Sequence, residues 1–253
     1  IRPYLLRLER GELFALMSCG MAGIAGTVMV LYAAMVGPVI PNALGNILAA
    51  AVISTPAALA LAALMVPFRP DPSAGVELTM DDPPVSAMDA LAKGTQDGIG
   101  FLLSIVAMLI VAIALVSLVN EALGLLPPLF GAPVTLQRLF ALAFRPVMWL
   151  IGIPGPETGA AATLMATKTM LNEFVAYADF AHLPTAALSP HSRLIMTYAL
   201  CGFANFGSLG ILIGGMGAMV PERRPEIVAL GLRSILSGTL ATCMSGAVVA
   251  LLT

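Results

Sequence analysis

Charged residues are scarce in this chain of 253 residues: they make up 10% of the sequence, whereas 59% of the residues are hydrophobic. A soluble domain carries about 25% charged residues. So few charges cannot cover a surface that faces water, and the composition therefore predicts an integral membrane protein in contact with the lipid bilayer. The formal net charge of −2 gives no reason to expect a nucleic-acid partner, because such a partner requires a basic surface.

Residues that commonly build metal or catalytic sites are also few. The three cysteines, Cys19, Cys201 and Cys243, lie in apolar stretches. Their odd number and unpaired spacing exclude a disulfide framework and a thiolate metal cluster, and we interpret them as packing residues. His182 and His191 fall at the predicted outer edge of the membrane. The absence of a Gly-Lys-Ser/Thr phosphate loop argues against ATP hydrolysis, and no catalytic pair supports a membrane enzyme or an organic cofactor.

Long apolar runs are abundant instead. A helix needs roughly 20 apolar residues to cross a hydrocarbon core of about 30 Å, and five segments reach that length. These segments are 11–37, 43–66, 99–126, 192–219 and 227–252. A polar stretch, 67–98, separates the second from the third, and its second half, from about Pro84, is predicted to form a short interfacial helix.

The region 136–183 has a different pattern, with two apolar arms around the sequence Pro-Gly-Pro-Glu at 154–157. The first arm, from about Leu139 to Ile153, would extend only about 22 Å as a helix, which is too short to cross. The second arm runs to about Phe180. We therefore predict a re-entrant hairpin whose tip lies against protein or a water-filled cavity.

A short internal repeat relates the first and fourth spans, because Cys19-Gly20-Met21-Ala22 matches Cys201-Gly202-Phe203-Ala204. Basic residues near the span ends are placed in the cytoplasm by the positive-inside tendency. They are Arg2, Arg7, Arg10, Arg69, Lys93, Arg223 and Arg224. The two spans then cross in opposite directions, which is the inverted repeat of secondary transporters. Glycines in both spans indicate either close helix packing or helices broken in mid-membrane, and the spacing does not choose between them.

Glu173 is an acidic residue that is hard to place in water, because it lies well inside the second hairpin arm. An ionisable group at membrane depth costs at least about 2.5–3.5 kcal/mol, which favours a solute, ion or proton site. The alternatives are a structural pair with Lys168 or a hydrogen bond between helices. Asn205 and Ser208, at positions i and i+3, are expected to share one helix face. Together with Glu173 they could bind sugar hydroxyls, although such residues also join helices.

Several longer motifs resemble the signatures of concentrative nucleoside transporters. They are Asn-Glu-Phe-Val-Ala-Tyr at 172–177, Ala-Leu-Cys-Gly-Phe-Ala-Asn-Phe-Gly-Ser-Leu-Gly-Ile at 199–211, Ala-Gly-Ile-Ala-Gly-Thr-Val at 22–28, Pro-Glu-Arg-Arg at 221–224 and Gly-Thr-Leu-Ala at 238–241. In that family a first hairpin bearing Gly-Gln-Thr-Glu-Ala-Pro precedes the segment that begins here at Ile1. The resemblance therefore implies a C-terminal portion that lacks the first hairpin and the upstream helices and does not transport alone.

The resemblance also implies roles for individual residues. Glu173, Asn205 and Ser208 would hold the ribose hydroxyls of a nucleoside, Phe203 would lie near the base, and Val28 would line the base pocket. The backbone of Gly23 and Ile24 would help to coordinate sodium where the first span unwinds. The family usually has a hydroxyl residue at the position of Gly23, so this chain lacks one ligand.

The resulting expectation is an all-α integral membrane protein, an inverted-repeat, elevator-type transporter with a re-entrant hairpin and broken helices. Its regions would be first-repeat helices of the transport domain (1–66), a cytoplasmic loop with an interfacial helix (67–98), a scaffold helix (99–126), the hairpin (136–183) and second-repeat helices of the transport domain (192–253). It would be a multi-pass homotrimer in the plasma membrane, the inner membrane of a bacterium, that imports nucleosides such as uridine with sodium or protons. The alternative is a hairpin-type membrane gating or binding module that transports no solute.

Overall fold

The computed structural model describes residues 2–69, 84–128, 131 and 133–253, and every regular element in these ranges is a helix. The α-helices there are α1 Arg2–Arg7, α2 Arg10–Ala22, α3 Gly26–Val36, α4 Ala43–Met65, α5 Ala87–Gly124, α6 Leu136–Leu150, α7 Thr158–Met170, α8 Glu173–His182, α9 Pro190–Leu200, α10 Phe206–Met219 and α11 Arg224–Leu252. Short 3-10 helices occur at Gly155–Glu157, Thr185–Ala187 and Pro221–Arg223. The predicted all-α class is therefore confirmed, and residues 70–83 of the predicted polar stretch lie outside the described residues.

Three stretches of the described chain are long and apolar enough to cross a membrane: Arg10–Val36, Ala43–Met65 and Pro221–Leu252. The predicted span 192–219 is instead divided into α9 and α10, of 11 and 14 residues. The predicted span 99–126 lies almost wholly within α5, which is continuous over 38 residues. Within residues 84–128 the predicted interfacial helix is not separate from this span but forms the first part of α5, whose sequence contains no proline that would end one helix and begin another.

Two helices are broken. Of the two explanations for the glycine-rich spans, close packing or an interrupted helix, the interrupted helix therefore applies to both. The first break is the segment 23–25 between α2 and α3, and the second is the segment 201–205 between α9 and α10. The tetrapeptides of the internal repeat do not occupy equivalent places. The copy at 19–22 forms the last turn of α2, whereas the copy at 201–204 lies wholly within the second break. Three identical residues out of four are too short a signal to fix the register.

The hairpin region contains two reversals of the chain rather than one. The first joins α6 to α7 around the predicted Pro/Gly sequence, with Gly152 at φ 102°, and these two helices pack side by side. The second follows Met170, and α7 packs against α8. The prediction of one continuous second arm to Phe180 is therefore wrong. Neither proline nor glycine marks this turn, and Asn172, the N-cap of α8, is its local signal.

Helix α11 lies at the centre of the fold and packs against α2, α4, α9 and α10. Gly238 permits a close approach of α11 to α2, since a Cβ atom on Gly238 would lie 2.6 Å from the Cβ atom of Met21. The largest group of buried apolar side chains contains Tyr32, Tyr177 and Phe180. The ends of the broken helices and the start of α8 therefore meet inside the protein.

Arg223 brings the predicted basic ends together on one side of the molecule. Its guanidinium donates hydrogen bonds to the carbonyl oxygens of Leu5 and Leu8, at 2.7 and 2.6 Å. Arg2 forms an ion pair with Glu222 at 3.1 Å. The described start of the chain and the turn before α11 thus lie at the same end of the molecule. This agrees with the prediction that the basic residues of both segments lie on the same side of the membrane.

Candidate functional site

Glu173 is the first residue of α8 and begins the candidate site. The side-chain oxygen of Asn172 accepts a hydrogen bond from the Val175 amide at 2.9 Å, which fixes where the helix starts. The Glu173 side chain is only 6% exposed. Its carboxylate lies in the first turn, where the positive end of the helix dipole favours negative charge.

Both oxygens of the Glu173 carboxylate accept hydrogen bonds from other elements. The hydroxyl of Tyr32, on α3, donates to Oε1 at 2.8 Å, and the amide Nδ2 of Asn205 donates to Oε2 at 3.0 Å. A buried carboxylate without such partners would be costly. The three side chains therefore form a cluster that joins α3, α8 and the second break, and we call it the carboxylate cluster.

Asn205 is the N-cap of α10, and it does not share a helix face with Ser208 as the spacing predicts. Its backbone is extended, at φ −148° and ψ 167°, and its Oδ1 accepts from the Ser208 amide at 2.7 Å. The side chain thus fixes the start of α10 with one end and binds Glu173 with the other. Ser208 is half-buried, and its hydroxyl makes no hydrogen bond to a residue that the structure describes.

Tyr32 is a member of the cluster that sequence reasoning missed. Its ring stacks on that of Tyr177, with centroids 4.8 Å apart and an interplanar angle of 22°. The hydroxyl of Tyr177 donates to the carbonyl oxygen of Thr197 at 2.8 Å. A tyrosine within an apolar span is the signal that could have found it, because a buried phenol requires a partner for its hydroxyl.

Lys168 does not pair directly with Glu173, so that alternative is not realised. Its Nζ donates to the carbonyl oxygen of Ala199 and to Oγ1 of Thr242, each at 3.0 Å. Among the described residues no carboxylate lies within 4.0 Å of this ammonium group. The buried cation and the buried anion on either side of the α7–α8 turn thus have separate partners.

The two breaks contact each other and bring further predicted residues together. The Phe203 amide donates to the carbonyl oxygen of Gly23 at 3.2 Å. Ile24 and Val28 are half-buried and pack against the apolar group that contains Tyr32. The structure therefore places Gly23 in contact with Phe203 and the other two residues nearby, around the crossing of the breaks.

This arrangement can bind hydroxyl groups. An ionised carboxylate offers about four lone-pair positions, and Tyr32 and Asn205 use two of those on Glu173. The remaining lone pairs of the Glu173 carboxylate can accept hydrogen bonds from the hydroxyl groups of a neutral, polyhydroxylated solute. Because the carboxylate is held from two sides, it is oriented before such a solute binds.

Comparison with known proteins identifies relatives along the whole chain. Residues 46–250 match the family model described as the C-terminus of Na+ dependent nucleoside transporters. An uncharacterized transporter of Haemophilus influenzae is 39% identical over 258 residues, which cover 99% of this chain and 61% of the relative. The nucleoside permease NupC of Helicobacter pylori is 34% identical, with 99% and 60% covered.

Solved structures show the same likeness. The transporter CNTnw in an inward-facing, substrate-bound state is 35% identical to this chain, with a TM-score of 0.79 over 99% of this chain and 59% of its own. A variant of CNTnw in an intermediate state gives a TM-score of 0.86, with 99% and 60% covered. The chain thus spans about 60% of the length of these relatives.

Proposed function

The chain belongs to the family of Na+ dependent nucleoside transporters, whose members are transporters and not enzymes, and from this premise we propose that it forms part of a cation-coupled nucleoside symporter. Because the chain spans about 60% of the length of the relatives described above, the activity is proposed for the whole protein to which these residues belong. The cargo would be nucleosides such as uridine, taken into the cell. The carboxylate cluster is the observation that carries this proposal.

Ribose recognition would depend on Glu173. Its carboxylate accepts hydrogen bonds from ribose hydroxyls while Tyr32 and Asn205 hold it in place, and the Ser208 hydroxyl supplies a further polar contact. Loss of the carboxylate would leave the sugar without its acceptor. A site built around such hydrogen bonds rejects analogues that lack the hydroxyl.

The base would lie beside Phe203 and Val28. Phe203 is half-buried in the second break, and Val28 is half-buried in the first turn of α3. Both residues adjoin the crossing of the two breaks, so a solute that contacts them also contacts the ends of the broken helices.

Coupling to sodium or to protons is proposed at the first break. Residues Gly23, Ile24 and Ala25 carry no side-chain oxygen, so only backbone carbonyl groups can serve as ligands there. The Gly23 oxygen accepts the Phe203 amide and keeps one lone pair. Unwound carbonyl groups at half-helix ends suit a sodium ion, and these residues would supply part of its coordination.

The proposed setting is a multi-pass protein of the plasma membrane, the inner membrane in a bacterium, assembled as a homotrimer. Relatives in bacteria support this location. We also propose an inverted-repeat, elevator-type mechanism with a re-entrant hairpin. CNTnw, a relative, has been solved in an inward-facing state and a variant of it in an outward-facing state, which supports a moving transport domain.

Labelled uridine uptake by the full-length protein in uptake-deficient cells tests the proposal, with and without a sodium gradient. Glu173→Gln should reduce uptake at least about tenfold, because an amide replaces the acceptor that both neighbours hold. Glu121→Gln, at an exposed carboxylate on α5, is the matched control.

Unchanged uptake by Glu173→Gln at normal surface expression would refute the ribose assignment. Wild-type uptake that follows sodium would support the symporter, and uptake independent of sodium would indicate protons. Absence of uptake for every nucleoside, without stabilisation by nucleosides, would favour the gating module.

A further inference from the structure

Lys168 is fully buried, at 0% exposure, and the carboxylate cluster does not use it. It lies in the last turn of α7, three residues before the turn into α8. A buried ammonium group is costly unless its donors find strong acceptors. Its two acceptors belong to different elements: the Ala199 carbonyl in the last turn of α9 and the Thr242 hydroxyl on α11.

The end of α9 is a set of carbonyl groups that the helix itself cannot satisfy. The Thr197 oxygen accepts the Tyr177 hydroxyl at 2.8 Å, and the Tyr198 and Leu200 oxygens accept the Cys201 and Gly202 amides at 3.1 and 2.9 Å. The remaining oxygen of this group, that of Ala199, accepts a charged donor. Negative potential at a helix C-terminus favours a cation in that position.

Thr242 is oriented to act as an acceptor toward Lys168. Its hydroxyl hydrogen is directed to the carbonyl oxygen of Thr239 at 3.0 Å, which leaves its lone pairs for the ammonium group. A carbonyl oxygen at a broken-helix end and a hydroxyl lone pair are the kind of ligands that a monovalent cation takes.

We propose that Ala199 O and Thr242 Oγ1 form a monovalent-cation site at the second break, which the chain fills with its own Lys168 ammonium group. The second break then requires no cation from solution. The tether also holds α7 against α9 and α11 at any salt concentration, so Lys168 acts as a positioning residue. This inference does not depend on the solute that the protein carries.

Chemical rescue of Lys168→Ala in the purified full-length protein tests the site. The substitution removes three methylene groups and the ammonium, which n-propylammonium replaces. We expect the melting temperature to fall by about 5 °C or more. Propylammonium chloride should restore at least half of that loss and shift the wild type by less than about 1 °C. 1-Propanol and choline chloride, which supply a neutral donor and a bulky cation, should not rescue.

Three outcomes would overturn the proposal: a variant as stable as the wild type, equal stabilisation of both proteins by propylammonium, or equal rescue by 1-propanol. If Lys168→Ala does not accumulate, Thr242→Val and Thr242→Ser decide instead. Valine removes the hydroxyl that accepts from Lys168 and should lower the melting temperature. Serine keeps this hydroxyl and should have a higher melting temperature than the valine variant. Equal melting temperatures for these two variants would also refute the site.

Discussion

The two broken helices differ in what their own side chains supply. At the first break, three residues without polar side chains separate α2 from α3, and the N-cap of α3 is Ala25, which makes no side-chain hydrogen bond. At the second break, Lys168 binds the end of α9 and Asn205 caps the start of α10. Among the described residues only backbone groups bind at the first break, whereas the second break is completed by side chains of the same chain.

This difference separates two roles that a broken helix can have. Side chains at the second break fix its geometry and orient Glu173 through Asn205. No side chain caps the first break among the described residues, and in our proposal its carbonyl groups supply ligands to the coupling cation. In our proposal the second break is therefore the fixed side of the solute site, and the first break is the side that responds to the coupling cation.

The largest effect is expected where the second break meets the carboxylate. Asn205→Asp keeps a capping oxygen but places a second negative charge against Glu173, and uptake should fall about 100-fold. Asn205→Ser keeps a capping oxygen but loses the amide group that reaches Glu173, and uptake should fall about tenfold. Asn172→Ser, which keeps the cap of α8, is the control. Uptake is measured for all three variants. Equal losses in the three would contradict the role of Asn205 in fixing the second break and orienting Glu173.

Contact between the two breaks is tested by Gly202→Ala. A Cβ atom there would lie 2.7 Å from the carbonyl oxygen of Ala22 and 2.7 Å from Cγ2 of Thr242. The crowding should destabilise the protein by about 1–3 kcal/mol, measured as a lower melting temperature. Gly20→Ala, whose Cβ atom would lie at an ordinary contact distance of 3.6 Å from Leu212, should be neutral or stabilising. A harmless Gly202→Ala would show that the breaks are not in close contact.

The orienting role of Tyr32, on α3, is tested by Tyr32→Phe. The variant keeps the ring stack on Tyr177 and loses the hydroxyl that donates to Glu173. Uptake at low uridine concentration should fall about fivefold to tenfold, mainly through a higher KM. Tyr177→Phe loses a hydroxyl directed to Thr197 and is the matched control. Equal KM values in both variants would remove Tyr32 from the site.

The smallest effect is expected for the sodium dependence of uptake. It is tested by Gly23→Ser, which adds a side-chain hydroxyl to the first break. The backbone there, at φ −83° and ψ 171°, accepts a serine, although its Cβ atom would lie 3.2 Å from the Cys19 oxygen. An added oxygen ligand should lower the sodium concentration for half-maximal uptake about twofold to threefold. Gly23→Ala controls for the added carbon. An identical sodium dependence in both variants would count against sodium binding at this break.

Sequence reasoning located most of the helices but misplaced some of their ends. The apolar runs at 43–66 and 227–252 correspond to α4 and α11 because a long apolar run permits only a helix in a membrane. The turn between α7 and α8 was missed, because Leu171 and Asn172 interrupt the helix without proline or glycine. An asparagine N-cap is a weak signal until its hydrogen bond is seen.

Some residues of the candidate site could be found from the sequence, and others only from the structure. Glu173 and Asn205 are visible in the sequence, because polar residues in apolar spans are costly and therefore few. Tyr32 lies 141 positions from Glu173, and no local pattern relates the two. The partners of Lys168 could not be predicted from the sequence either. Proximity along the chain suggests Glu173, whereas in the structure Lys168 binds Ala199 and Thr242.

The sequence by itself determined the membrane class, the helical architecture, the likeness to nucleoside transporters and the presence of a buried carboxylate. These properties follow from composition, apolar length and contiguous motifs, which are local and additive along the chain. Only the tertiary structure decided which groups that carboxylate and the buried lysine bind. Hydrogen bonds between distant segments depend on how the broken helices cross, and that crossing is set by close packing at Gly202 and Gly238.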